Sequence, residues 1–421
     1  MSSISDRLKS IKATLSEPAS KPAPAANPSR FPIESVVPGV EVATIFGPAY
    51  AISKQFDDTY RHGWYDLKTF PNLSLLAEWG RLPHLMETRP DEIVFLDTEP
   101  TGLAGGTGTI VFLVGLGYHT PTGFQVDQLY LRDPAEEPAF LAALDKWLSR
   151  FQTIVTFNGK SFDIPLINTR YTLNAITSPA PQKQHLDLLH LARRLWRDRL
   201  PSRALGDLEK EIIGFYRGDD EVPGYLIPQY YFDFLRTADA RPMSGVIYHN
   251  MVDIITLAVL FNFIGSLLAN PSKTEIHSLD LAAIARLYEE LGHLEEAAEM
   301  YERCIAQGLP EEQFFKTIER FASMRRKQGR ADLAAGLWMH AVERNHIPAY
   351  IELAKYYEHQ TGELGEAVVF GKKTTPLLCS RRVPSLQRKI FFCELTRPPT
   401  PPVPASRSPA TAVETIRAPF G

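Results

Sequence analysis

Ile93-Val94-Phe95-Leu96-Asp97-Thr98-Glu99-Pro100-Thr101-Gly102 decides how this chain is read. Four apolar residues in a row, mostly β-branched or aromatic, predict a short strand buried on both faces. That strand ends on a carboxylate, and a second follows two positions later. In extended chain residues i and i+2 point the same way, so Asp97 and Glu99 project side by side. Two like charges held so close repel, and one is protonated unless a cation sits between them. Hard divalent ions such as Mg²⁺ take carboxylate oxygens of this kind. By itself an Asp-x-Glu more often marks a turn cap and a solvated glutamate, so its meaning rests on the rest of the chain.

Downstream, Gly102-Leu103-Ala104-Gly105-Gly106-Thr107-Gly108-Thr109 lacks the Gly-Lys-Ser/Thr ending of a phosphate loop. It runs into strand-like sequence, Ile110 to Leu116, which excludes nucleotide binding there and predicts a turn between neighbouring strands. Phe124 to Leu131 reads as a third, alternating strand and Glu137 to Phe151 as a helix. Thr153 to Phe157 is another buried strand, leading through Asn158-Gly159-Lys160-Ser161-Phe162-Asp163 into a helix. A short strand ends at His185-Leu186-Asp187 before an Arg-rich helix, Leu188 to Trp196, and helical patterning continues to Leu268. Upstream, Val40 to Ile45 and Ala49 to Ile52, split by Gly47-Pro48, predict a hairpin. Hairpin strands followed by strands alternating with helices give an α/β fold with a mixed sheet.

At 421 residues the chain is too long for one core and predicts two domains plus tails. A formal charge of −4 argues against a generally cationic nucleic-acid coat, though not against a local basic groove. Cys304, Cys379 and Cys393 have no zinc-like spacing and read as a reduced, cytoplasmic inventory. The polar start shows no signal peptide, and the run Ile254 to Leu268 falls short of the roughly 20 residues that span a bilayer. It reads as a buried helix, with no membrane partner. Residues 1–30 decay into Pro, Ala and Ser, a disordered tail. The segment 31–90 holds the hairpin and a connection, and 91–270 the α/β domain.

From 278 the pattern becomes amphipathic helix. Tyr288, Gly292, Ala297 and Tyr301 are echoed by Gly329, Ala334 and Trp338, and more faintly by Gly362 and Ala367. The glycine steps of 37 and 33 residues lie close to the tetratricopeptide period of roughly 34. An all-α helical repeat is expected over 275–378, a possible dock for a protein partner. Residues 379–421 are Pro-rich, with seven Arg/Lys against two Glu in 381–421, and read as a solvated basic tail.

Four motifs stand in order: Phe-Leu-Asp-Thr-Glu at 95–99, Phe-Asn-Gly-Lys-Ser-Phe-Asp-Ile-Pro-Leu at 157–166, His-Leu-Asp-Leu-Leu-His-Leu-Ala-Arg at 185–193, and Tyr-His-Asn-x-x-Asp at 248–253. Over about residues 35 to 268 the chain resembles the DEDD branch of the RNase H-like 3′–5′ exonucleases, and most closely the YprB-type ribonuclease H-like proteins. The resemblance implies an RNase H-like mixed sheet flanked by helices. It also implies Asp97, Glu99, Asp163 and Asp253 as ligands of two divalent ions, Mg²⁺ or Mn²⁺, with Asp97 bridging. Phosphodiester cleavage needs charge neutralisation, an activated water and a stabilised leaving oxygen, which two metals about 4 Å apart can serve. The expected activity is a phosphodiester hydrolase acting 3′–5′ on single-stranded or frayed DNA or RNA. The alternative is a catalytically weak nucleic-acid-binding adaptor working through the repeats.

Relatives place either His five or Tyr four positions before the last Asp as general base; here Tyr248 is at minus five and His249 at minus four. An offset of four puts His249 on the helical face of Asp253, and imidazole titrates near neutral pH. His249 is the expected base, against a packing or capping role. Substrate contacts are expected at Thr101, Gly102, Asn158 and Phe162. For Asn158 an Asx-turn competes with that role, and for Phe162 a place in the core. Asp187 reads as an N-cap rather than a ligand, and Arg193, Arg194 and Arg197 as a solvated face before a phosphate-tracking one. Pro100 stands where the resemblance leads one to expect Thr, and removes a backbone N–H beside the site.

Overall fold

The computed structural model describes residues 31–102, 106–218, 221–271 and 275–378. The two predicted tails, residues 103–105 of the glycine run, Cys379 and Cys393 lie outside the described residues. The chain forms two compact units, dividing between Leu309 and Pro310.

The first unit is built on a seven-stranded mixed sheet. Its strands are β1 (Val40–Thr44), β2 (Gly47–Phe56), β5 (Ile93–Pro100), β6 (Val111–Thr120), β7 (Gly123–Tyr130), β8 (Thr153–Thr156) and β9 (Gln184–Asp187). A separate two-stranded ribbon joins β3 (Arg61–His62) and β4 (Tyr65–Asp66). The order across the large sheet is β1-β2-β7-β6-β5-β8-β9. Pairings from β1 to β5 are antiparallel, whereas β5, β8 and β9 run parallel. The helices are α1 (Ser74–Gly80), α2 (Glu137–Leu148), α3 (Asp163–Leu173), α4 (Leu188–Trp196), α5 (Ile227–Thr237), α6 (Met243–Ala269), α7 (Ser278–Leu291) and α8 (Leu294–Gln307).

Helix α6 explains why the central strands β5 and β6 are buried along most of their length. It is 27 residues long and its most apolar window has a mean hydropathy of 2.1, enough to cross a membrane by length and composition, yet 83% of that window is buried in the protein. It lies against β5, β6 and β7, with Phe261 meeting Phe95 at 5.4 Å between ring centres. Gly115 and Gly117 on β6 permit this approach: a Cβ on Gly115 would stand 2.2 Å from Asn250 Oδ1, and one on Gly117 2.4 Å from Ile254. Helix α2 packs on β1, β2 and β7. With both faces covered, β7 is buried from Val126 to Tyr130, Asp127 and Gln128 included, so the alternation expected of it does not mark a wet face.

The composition changes near 278, but the first helical pair, α7 and α8, belongs to the first unit. Arg286 pairs with Asp198 at 2.7 Å, Arg199 with Asp280 at 3.0 Å, and the Tyr288 hydroxyl donates to Leu268 O.

The second unit contains α9 (Glu311–Lys327), α10 (Ala331–Glu343), α11 (Ile347–Tyr356) and α12 (Leu364–Leu378), packed as successive neighbours around Phe314, Phe321, Trp338, Leu353 and Phe370. The repeat glycines have one physical role. Gly292, Gly329 and Gly362 all have φ between 75° and 89° and end the first helix of each pair in the left-handed conformation, the favoured glycine stop.

Candidate active site

Residues 93, 95, 97 and 99 of β5 share one face. Along it apolar Ile93 and Phe95 give way to Asp97 and Glu99 at the carboxyl end of the strand. This is where parallel strands in open α/β sheets present ligand sites. Asp97 lies opposite Gly115, and the Asn250 amide donates to its Oδ2 at 2.9 Å. The amide has little freedom: Gln128 donates to Asn250 Oδ1 at 2.8 Å and to Ile247 O at 2.9 Å, and Asn250 is fully buried. Neither Asn250 nor Gln128 was among the expected site residues. The first sits inside a quoted motif, and the second is hidden in what reads as an alternating strand.

Thr98 donates to Asp163 Oδ1 at 2.5 Å, tying the first residue of α3 to the strand between the two acids. Asp253, four residues after His249 on α6, completes the set, with His249 Nε2 3.3 Å from Asp253 Oδ2. Ligand atoms of Glu99, His249 and Asp253 all lie within 4.8 Å of one another. Burial first, then the charges of Asp253, Glu99 and Asp163, push the Asp97 carboxyl well above the carboxylate range. Burial likewise drives Glu99 up to about 8, against the lowering pull of His249. Asp163 rises to about 6 through burial, moderated by the Thr98 hydroxyl. Asp253 goes the other way: burial raises it, but His249 and Arg217 together hold it below its ordinary value. His249 is depressed by burial yet ends above its ordinary value because it bonds to Asp253.

Arg217 gives no motif signal. Its guanidinium donates to Glu209 Oε2 and to Glu221 Oε1, each at 2.6 Å, and to Asp253 Oδ1, and it lies 3.4 Å from His249 Nδ1. Glu209, in the π-helical turn Glu209–Ile213, also accepts from Thr256 and lies 3.3 Å from His62 Nε2. Tyr248 is 37% exposed and lines a surface cavity with Glu221, Tyr230 and Arg241.

The expected substrate contacts are placed as follows. Thr101 closes the β5–β6 turn, its N–H on Ile110 O and its hydroxyl accepting from Ile110 N at 3.0 Å. A Cβ on Gly102 would stand 3.8 Å from Thr109 Oγ1, with no closer neighbour among the described residues. Asn158 is exposed with φ 69°, and Phe162 is half-buried rather than part of the core. Asp187 accepts from the N–H groups of Leu189, Asn158 and Lys160, at 3.0, 2.8 and 3.1 Å, so it caps α4 and clips the Asn158 turn at once. At Pro100 the β5–β6 register shifts, so the missing N–H falls at a bulge. Arg194 is engaged by Glu290, while Arg197 is solvent-facing beside Asp198.

Residues 94–264 match the RNase_H superfamily. Over 338 residues the chain is 31% identical to the uncharacterized protein YprB of Bacillus subtilis (strain 168), covering 77% of this chain and 80% of that protein. Among solved structures it is similar to the family B DNA polymerase from the hyperthermophilic archaeon Pyrobaculum calidifontis, with a TM-score of 0.32 and 14% identity over 48% of this chain and 29% of that one. That likeness is too slight to carry an argument.

Proposed function

The chain belongs to the RNase H superfamily, as a relative of YprB, and on that premise we propose that it is a metal-dependent 3′–5′ exonuclease hydrolysing single-stranded or frayed DNA or RNA. What supports the reading is that ligand atoms of Glu99, His249 and Asp253 lie within 4.8 Å of one another, with Asp97 and Asp163 near enough for their charges to act on the same group. The donor set fits hard divalent ions: carboxylate oxygens predominate, with one imidazole in reach, and Asp97 and Glu99 are pushed up by burial and then by neighbouring carboxylates. A pair of Mg²⁺ or Mn²⁺ ions would supply charge neutralisation for the phosphate and a lowered pKa for water.

The remaining work falls to the chain. The Asn250–Gln128 pair fixes Asp97, and Thr98 fixes Asp163. His249 accepts the proton of the attacking water, and the resulting imidazolium sits between Asp253 and Glu221, each at 3.3 Å. Thr101, Gly102, Asn158 and Phe162 are the residues this reading assigns to holding the strand end. The test is a 5′-labelled single-stranded oligonucleotide, DNA and RNA in parallel, with Mg²⁺ or Mn²⁺. The reading expects shortening from the 3′ end, its loss in Asp97→Ala, and resistance of circular single strands. No hydrolysis with either ion contradicts it, and cleavage of circles at the linear rate replaces it with an endonuclease.

A further inference from the structure

Burying an arginine against a fully buried glutamate is costly, since the desolvation penalty is several kcal/mol per ion before pairing offsets it. Arg217 and Glu209 are such a pair, with side chains 5% and 0% exposed. The fold itself gains little from it: an apolar pair of equal volume would serve packing as well or better. The arrangement makes sense by its output. Glu209 is anchored below by Thr256 and His62, the latter stacked on Phe215 at 3.9 Å. The turn carrying Glu209 is pinned by Trp64, whose N–H donates to Ile213 O and whose ring lies over Gly214, leaving no room for a side chain there. From this base the guanidinium fork reaches Asp253 with one nitrogen and Glu221 with another, and Glu221 in turn faces His249 Nδ1.

We propose that Arg217 is a positioning residue for the acidic site: a permanently charged, immobile fork that fixes the Asp253 carboxylate and, through Glu221, the ring of His249, before any divalent ion arrives. The inference rests on the metal-site reading of the carboxylates. Arginine suits the task because its planar fork makes directed contacts to several carboxylates at once and keeps its charge at every accessible pH. A lysine at the same place supplies the charge without the geometry.

The experiment is Mn²⁺ binding to the full-length protein, followed by electron paramagnetic resonance of the free ion, alongside steady-state hydrolysis of a single-stranded oligonucleotide. Wild type and Asp97→Asn serve as the controls for the site. Arg217→Met is expected to weaken Mn²⁺ binding at least tenfold and to lower kcat at least a hundredfold with KM within threefold; Arg217→Lys is expected to recover less than a tenth of the lost kcat. If Arg217→Met does not fold, Arg217→Lys, which keeps a charge opposite Glu209, carries the test by the same two readouts. Unchanged Mn²⁺ affinity and kcat in a folded variant overturn the proposal, and tighter Mn²⁺ binding overturns it in favour of a competing cation. Wild type that binds no Mn²⁺, or binds it as well as Asp97→Asn does, overturns the site reading itself and the proposal with it.

Discussion

Raising the pH of the metal-free protein from about 5 to 8 should destabilise the first unit, because burial holds a proton on Glu99 that the unfolded chain gives up. Glu99 goes from an ordinary 4.5 to about 8 in the fold. At roughly 1.4 kcal/mol per pKa unit, ionising it in place costs on the order of 5 kcal/mol. Its repulsion is shared with Asp253 and Asp163, so the realised fall is set at roughly 2–5 kcal/mol. Folded Glu99 retains a proton that the unfolded chain releases. Its stabilisation is therefore fully present below its unfolded pKa and is lost as pH climbs through about 8. Asp163, raised to about 6, acts in the same direction over the lower part of the window, and the raised His249 acts likewise above its ordinary value. Asp253, held low, stays ionised across the window and adds no slope. The assay is urea denaturation in EDTA followed by near-UV circular dichroism. Glu99→Gln should reduce the slope, leaving the share of the raised Asp97, Asp163 and His249, and saturating Mg²⁺ should reverse its sign by favouring the ionised forms. A wild-type curve already flat, or one unchanged in Glu99→Gln, refutes the reasoning.

Asn250→Ala takes one of its two acceptors from the buried Gln128 amide, leaving Ile247 O, and frees Asp97; a stability loss of about 1–3 kcal/mol and a fall in nuclease kcat beyond tenfold are expected, read by urea midpoint and oligonucleotide hydrolysis. Gly115→Ala places a Cβ 2.2 Å from Asn250 Oδ1, so α6 must lift, at about 1–3 kcal/mol, with a lowered thermal midpoint. Glu137→Ala strands Arg170, whose partners at 2.6 Å it supplies and whose guanidinium also holds Thr107 O at 2.8 Å; about 3–5 kcal/mol should be lost in the same denaturation series.

Much of the site was legible because it obeys short-range rules. Asp97 and Glu99 share a face by strand period, Asp163 opens a helix after a turn, and His249 and Asp253 meet by helical offset. The hairpin, the strands and the buried character of Ile254 to Leu268 followed from apolar patterning. What escaped the sequence depends on distant partners. Gln128 sits three residues past Gln125 in a strand that looks half wet, and only α6 crossing above explains its burial. Arg217 lies in an aperiodic stretch, and its charge has meaning only beside Glu209 and Asp253, 8 and 36 residues away. The assignment of α7 and α8 to the first unit was equally hidden, because a repeat pattern says which helices pair and not what else their outer faces bind.

The proposed activity requires acids from β5, α3 and α6 gathered around a site for divalent ions. Anomalous diffraction from crystals soaked in Mn²⁺ tests it directly. The predicted result is manganese density in contact with carboxylate oxygens of Asp97, Glu99 and Asp253, lost in Asp97→Asn crystals. Manganese bound elsewhere on the chain, with these carboxylates bare, would contradict it.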